Sequence, residues 1–439
     1  MVYWCQSVVK FVRMAEAHSF SIDSSAVVIT LPCMAAFVDL PDRFGAPLPL
    51  VVQGQNHPLD TGNRVLNLSQ PVPSKSTAQK IKAAQLSAPS ETPFAHRRHG
   101  TVRLRWFAVG SLAILVPASP SVAADDAPNW IRVAEHASWQ SRDSQGEAVF
   151  KDRLWILGGW FNSFEAPPRD VWSSTDGRSW HLVQKVAPWK HSDLPMTVVH
   201  NDRLWIMGGW YNGRLPGHSA TNEVWSSSDG EIWELVTPHA GWSPRLAAGA
   251  VVFKDQMWIL GGTEDYYFGD AKSLRSDVWH SSDGKQWEQS TESAGWSPRA
   301  YHSAVVHDGK LWVIGGGNYV PDYEAHNDVW CSEDGVHWKE VTSHAPWHPR
   351  LWFSSVVYRD RMWVLGGWSN HPARNWGDVW YSSDGNNWRK LESKAAWKER
   401  HEHSAFVFQD KILVAGGHAM PLSNEVWSLD VPETWFQGR

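Results

Sequence analysis

Three cysteines in 439 residues are too few to staple a fold: Cys5 and Cys33 stand near the N-terminus, which leaves Cys331 alone after residue 124. An intramolecular disulfide is therefore excluded from the larger part of the chain. That part also lacks long apolar runs and any cluster of basic residues. Of the 40 Lys and Arg and the 46 Asp and Glu, 11 and 6 precede residue 125, so 29 basic face 40 acidic residues in the remainder. A net acidic domain of this kind points away from nucleic acid and from an anionic membrane surface as main partner. No HExxH, CxxC, GxSxG or phosphate-cradling loop occurs there, so the familiar signatures of zinc proteases, thiol redox centres, serine hydrolases and nucleotide sites are absent.

Tryptophan is what the chain has in excess. There are 31, and all but Trp4 and Trp106 lie after residue 124. That density without long apolar runs suggests a short all-β unit copied several times, each copy bringing its own aromatic plugs. Residues 1–101 show no such order and include a Pro/Ser/Lys/Gln-rich stretch around Pro71 to Pro93 that would not bury a core. Arg103 and Arg105 precede an apolar stretch over 106–116, followed by Pro117, Pro120 and the small residues Ser121 to Ala124, the order of an export signal. The stretch is too short to span a bilayer, so no stable membrane insertion is expected. Three segments follow: 1–101, an overextended gene start ahead of Val102 or a disordered extension; 102–124, a signal peptide cleaved near Ala124; and 125–439, a secreted or periplasmic domain.

Within that domain glycine doublets fall at 158/159, 208/209, 261/262, 315/316, 366/367 and 416/417, each after an apolar strand. A Trp stands 19 residues before every doublet: Trp139, Trp189, Trp242, Trp296, Trp347 and Trp397. Each copy reads as a first strand, a tight turn such as 307–310, a second strand ending in the doublet, a variable loop, a third strand carrying Val-Trp, an Asp-Gly turn and a fourth strand with another Trp. Four antiparallel strands in about 50 residues make a propeller blade, and six copies make a six-bladed β-propeller. The sixth copy has Val426-Trp427 but no Asp-Gly turn, while residues 129–133 resemble a fourth strand with no blade before it. The strand near Trp130 is thus expected to complete the last blade and close the ring; Trp435 is the rival for that place.

The doublet after an apolar strand, the upstream Arg and the Trp of strands three and four resemble kelch repeats, and the resemblance covers about Trp130 to Leu429. The Ser-x-Asp-Gly-x-x-Trp turn, as in Ser174 to Trp180, also resembles the Asp-box of sialidases, one residue short, and in either family it is structural.

All length variation between copies lies between the doublet and the Val-Trp, so the variable loops gather on one face, where a site is expected. Five arginines, Arg142, Arg245, Arg299, Arg350 and Arg400, recur thirteen residues before the centre of strand two; Ser192 takes the place in blade two. Two readings are open. They ring the channel mouth and bind a carboxylate or other oxyanion, or each pairs with the acid before Val-Trp in its own or a neighbouring blade: Asp170, Glu223, Asp277, Asp328, Asp378 or Glu425. The loops add Trp160, Phe161, Trp210, Tyr211, Tyr266, Tyr267, Tyr319, Tyr323, Trp368 and Trp376, which suit sugar rings or pack between blades, and the carboxylates Glu165, Glu264, Asp265, Asp322 and Glu324. The expected ligand-binding set is the five arginines with Tyr266, Tyr323, Glu324, Trp368 and His302. His401 and His403 flank Glu402 and would share one face of a strand, yet His302 holds the place of His403 in blade four, so no metal site and no cofactor is expected.

Three functions follow. The first is an exported propeller that binds an acidic sugar, glycan or acidic peptide on its Arg-lined face, as the resemblance to kelch adaptors that hold acidic peptides implies. The second is an isomerase similar to the kelch-type N-acetylneuraminate epimerases. The third is a protein-interaction scaffold with no small-molecule pocket. Hydrolysis is not expected. Nor is copper-dependent oxidation of the galactose-oxidase type, because Cys331 follows the strand-three Trp where other copies have Ser173, Ser226, His280 and Tyr381.

Overall fold

The tight turn between the first two strands of each copy is built from two consecutive left-handed residues, as at Lys151-Asp152 (φ 50° and 53°) and Asp308-Gly309 (φ 48° and 66°). Paired positive φ values make the type I′ turn, whose twist matches a β-hairpin. In the computed structural model, which describes residues 127–393 and 397–436, this hairpin opens every one of six four-stranded antiparallel sheets. Blade four is typical: Ser303–His307, Lys310–Asn318, Glu324–Ser332 and Trp338–Thr342, in that spatial order. In blades three and four the second strand runs on past the glycine doublet, to Thr263 and Asn318, with a register shift at the glycines. The sequence alone would have ended those strands at the doublet.

The first strands of the six blades pack against one another around the ring and form its inner wall. In blades one, two and six their buried residues alternate with partly exposed or exposed ones, such as Glu147 and Thr197, as a strand buried between neighbouring sheets and open to a central channel requires. Between the sheets the core is aromatic. Trp139 meets the strand-four Trp180 edge to face at 6.0 Å, and the same pairing recurs in Trp189–Trp233, Trp242–Trp287, Trp296–Trp338 and Trp347–Trp388.

The last blade is Ser404–Phe408, Lys411–Ala415, Val426–Asp430 and, from the other end of the domain, Asn129–Ala134. Trp130 pairs with Leu429 in register and lies 5.6 Å from Trp397, the place Trp180 takes against Trp139. The closure read from the sequence is therefore present. Trp435 forms no strand; it belongs to a short 3₁₀ turn, Glu433–Phe436, whose Phe436 packs on Trp363 of blade five. In the other blades that strand-two side chain is covered by the glycine of the next Asp-Gly turn, which blade six lacks, so Phe436 covers what would be bare. Residues 1–126, with the expected signal peptide, lie outside the described residues.

Candidate functional site at the channel mouth

Between the register Trp and the first strand each blade carries a short inner segment, and the five arginines sit in it. Each is buried to within 1% of complete and turned away from the channel. Arg299 places both terminal nitrogens on Asp328, at 2.7 and 2.8 Å, and donates to the Gly315 carbonyl at 2.9 Å. Arg142, Arg245 and Arg350 hold Asp170, Asp277 and Asp378 with the same two nitrogens, each within its own blade, while Arg400 reaches Glu425 with one, at 2.7 Å, and turns the other to Ser423 Oγ at 3.2 Å. The indole of the following Trp donates to the same carboxylate, as Trp330 does to Asp328 at 2.8 Å. Of the two readings open from the sequence, this is the pairing with the acid: the guanidinium groups tie the inner segment to the strand-three entry and present no free donors to a ligand. In blade two Ser192 instead donates to the Pro168 carbonyl of blade one.

Two residues after each arginine position the backbone turns left-handed, at Ser144, Leu194, Ala247, Tyr301, Trp352 and Glu402, with φ between 51° and 57°. None is glycine, so the conformation is strained and must be held by its surroundings. A closed ring of hydrogen bonds holds it. Leu194 N donates to Ser144 O, Ala247 to Leu194, Tyr301 to Ala247, Trp352 to Tyr301, Glu402 to Trp352 and Ser144 back to Glu402, at 2.8 to 3.3 Å. The ring draws the six inner segments together at the loop end of the channel and sets their side chains side by side.

Those side chains divide into two sectors. On blades three to five an apolar plug forms from Leu246, Tyr266, Ala300, Tyr301, Leu351 and Trp352, with Tyr267, Tyr319, Tyr323 and Trp368 against it. Tyr266 stacks on Tyr267 at 4.1 Å, and Trp352 lies 5.0 Å from Tyr301 and 5.5 Å from His401. On blades six, one and two the same positions hold Asp143, Ser144, Asp193, His401 and Glu402, with Leu194 of blade two packed against the plug. His418, one residue after the last doublet, places Nδ1 3.4 Å from Asp143, and His401 Nε2 lies 3.6 Å from Glu402. Tyr266 Oη donates to Glu402 at 3.2 Å across the boundary between the sectors. Asp193 is 1% exposed, and neither of its carboxylate oxygens has a hydrogen-bond partner.

Burial pushes the carboxyls of Asp143, Asp193 and Glu402 well above the usual range; Glu402 and Asp143 raise Asp193 further, and Asp143 raises Glu402. Burial moves His401 the other way, far below an ordinary imidazole, with His418 and His403 adding to the shift. Among the described residues no Lys or Arg lies within salt-bridge distance of the three carboxylates.

The other residues expected from the sequence are dispersed. Tyr266 is in the mouth. Trp368 and Tyr323 flank it, with Tyr323 Oη donating to the Trp368 carbonyl at 3.2 Å. Glu324 is exposed at the start of its strand. His302 is buried between blades three and four, where its Nε2 accepts from Gly249 N at 3.2 Å, and burial lowers its pKa to about 3. His403 is likewise interior, 4.8 Å from Trp397, while His401 faces the mouth. The two do not share a face as alternate strand residues would, because the left-handed Glu402 between them breaks the alternation. Asp143, Asp193 and His418 were not singled out from the sequence. Their signal was there, since Asp143, Asp193 and His401 stand where other copies have Leu246, Ala300 and Leu351.

Comparison with known proteins agrees with this architecture. The chain is 33% identical over 90 residues to Ras guanine nucleotide exchange factor F of Dictyostelium discoideum, covering 19% of this chain and 8% of that protein. It is 28% identical over 178 residues to the dynein alpha chain of the flagellar outer arm of Chlamydomonas reinhardtii, 35% of this chain and 4% of that one. A leucine-zipper-like transcriptional regulator 1 homolog of Drosophila melanogaster matches at 31% over 162 residues, 33% and 15% of the two chains. The chain thus spans under a sixth of each of these relatives. A family model, the KLHDC2/KLHL20/DRC7 Kelch-repeats domain, matches residues 144–367, just over half of the chain, and with its six four-stranded blades the protein belongs to that kelch-repeat family.

Proposed function

We propose that the protein is an interaction propeller that docks an extended segment of a partner protein on its loop face, and that the segment carries a basic rather than an acidic residue at the mouth. The observation that carries this reading is Asp193, a buried carboxylate without a partner beside a wall of tyrosines. A protonated amine or guanidinium docked there would draw the carboxyl into its charged form and meet aromatic faces beside it, a combination that recognises cations. The rim supports a macromolecular partner: Phe164, Phe268 and Met420 are 57%, 55% and 57% exposed in loops of this face, as contact residues of an interface are. Because the five arginines are committed to their own carboxylates, the acidic sugar or acidic peptide expected from the sequence gives way in this reading to a cationic group. Selection of random displayed peptides against the protein tests it. Enriched peptides should carry Lys or Arg near an aromatic residue. Their binding should fall at least tenfold in Asp193→Asn and Phe268→Glu and stay unchanged in Ile232→Glu, a 74% exposed position on the opposite face. Enrichment of acidic peptides, or binding indifferent to Phe268→Glu, would overturn it.

A further inference from the structure

We propose that Asp143, His401 and His418 hold a divalent first-row transition-metal ion at the channel mouth, with Glu402 in reach as a fourth ligand. One ligand atom from each of the three residues lies within 4.8 Å of the others. His418, partly exposed between His401 at 5.0 Å and Trp160 at 6.5 Å, would turn from its stack on His401 to bring its nitrogen onto the same ion. Two imidazoles and one or two carboxylates form a donor set suited to zinc and its neighbours rather than to magnesium or calcium, which take oxygen alone.

A second shell prepares His401. Asn375 donates its amide N–H to the His418 carbonyl at 2.8 Å and the Glu399 carbonyl at 3.3 Å, which fixes its Oδ1 as the atom facing His401 Nδ1 at 2.6 Å. An oxygen at that distance requires a proton on Nδ1. His401 Nε2 is thereby left with its lone pair free and directed toward Glu402 and the mouth. This is how metal-binding histidines are oriented: the outer nitrogen donates to a fixed acceptor and the inner one ligates.

The surroundings leave room for a cation. Among the described residues the neighbours of Asp143 and Glu402 are histidines rather than lysine or arginine, so no cationic side chain competes with an ion for them. Asp193 lies outside the ligand set and remains to meet a basic group of a partner. Access is from the loop face, past Trp160 and His418, both partly exposed. The inference stands on these residues alone and does not depend on the partner reading.

Zinc titrated calorimetrically into the chelator-treated protein, with no peptide present, should bind one ion per chain, and cobalt should give a visible d–d absorption. Asn375→Ala should weaken zinc by about 10- to 100-fold, and Asp143→Asn and His418→Gln, which each remove a ligand, by at least as much. Circular dichroism shows whether each variant folds, and His418→Gln, at a half-exposed site, is the one least exposed to that risk. His218→Gln, on the same face but outside the cluster, should bind as the unaltered protein does. Absence of stoichiometric zinc binding would overturn the proposal. So would zinc binding unchanged in both Asp143→Asn and His418→Gln, or magnesium binding as tightly as zinc.

Discussion

Arg350 shows what a residue's spacing can and cannot tell. Its recurrence thirteen positions before strand two, beside an equally regular acid, makes Asp378 a candidate partner, and in the structure the two are joined by paired hydrogen bonds. Whether the guanidinium faced the channel or the strand was not legible, because the left-handed residue two positions later sets the direction of the inner segment, and its side chain carries no sign of that conformation. Tyr301, Trp352 and Glu402 are unlikely choices for positive φ by type. Glu147 offers a residue-scale test. It lines the channel, and burial, opposed by hydrogen bonds from Ser404 and the Ala405 backbone, pushes its carboxyl up to about 8. A group raised in the folded state supports the fold fully below its unfolded pKa, about 4.3, and that support is lost as pH rises through about 8. Glu147→Gln keeps a neutral side chain at all pH. Urea midpoints should therefore coincide with the unaltered protein near pH 4 and exceed it at pH 9; parallel pH profiles would refute the assignment.

At the scale of elements, the turns were the most readable part and the loops the least. The Asp-Gly turn follows from chemistry: Ser332 Oγ and Asp334 Oδ1 accept the N–H groups of Gly335, Val336 and His337, and Gly335 takes φ 76°. The sequence does not reveal what the glycine touches. A Cβ on Gly335 would come within 2.1 Å of the Trp258 ring of the preceding blade, whereas one on Gly309, also left-handed, would meet open space. Gly309→Ala should cost about 1 kcal/mol for the backbone alone. Gly335→Ala adds displacement of a buried Trp and should cost about 1–3 kcal/mol more. Equal losses in chemical denaturation would show that the interblade contact carries no weight. The variable loops lack such rules, and so Asp143, Asp193 and His418, which come together only through the hydrogen-bonded ring, were not seen as a group.

For the whole molecule the question is what keeps six similar sheets in one closed ring. Two devices do so at different radii. Near the axis the six-membered backbone ring links every inner segment to the next, including blade one back to blade six. At the rim, the pairing of Asn129–Ala134 with Val426–Asp430 joins the two ends of the domain and leaves no open edge on that strand. If closure is cooperative, weakening the rim clasp should lower the stability of the whole propeller rather than fray one blade. Trp130 is nearly fully buried against Trp397, so Trp130→Ala should cost about 3–5 kcal/mol and shift a single calorimetric transition downward as one peak. Deleting residues 129–134 goes further: it bares the Val426–Asp430 edge, and light scattering should show association that the unaltered protein lacks. A melt that splits into two transitions, with the main one unmoved, would mean that the inner ring alone holds the propeller shut and that the clasp serves blade six only.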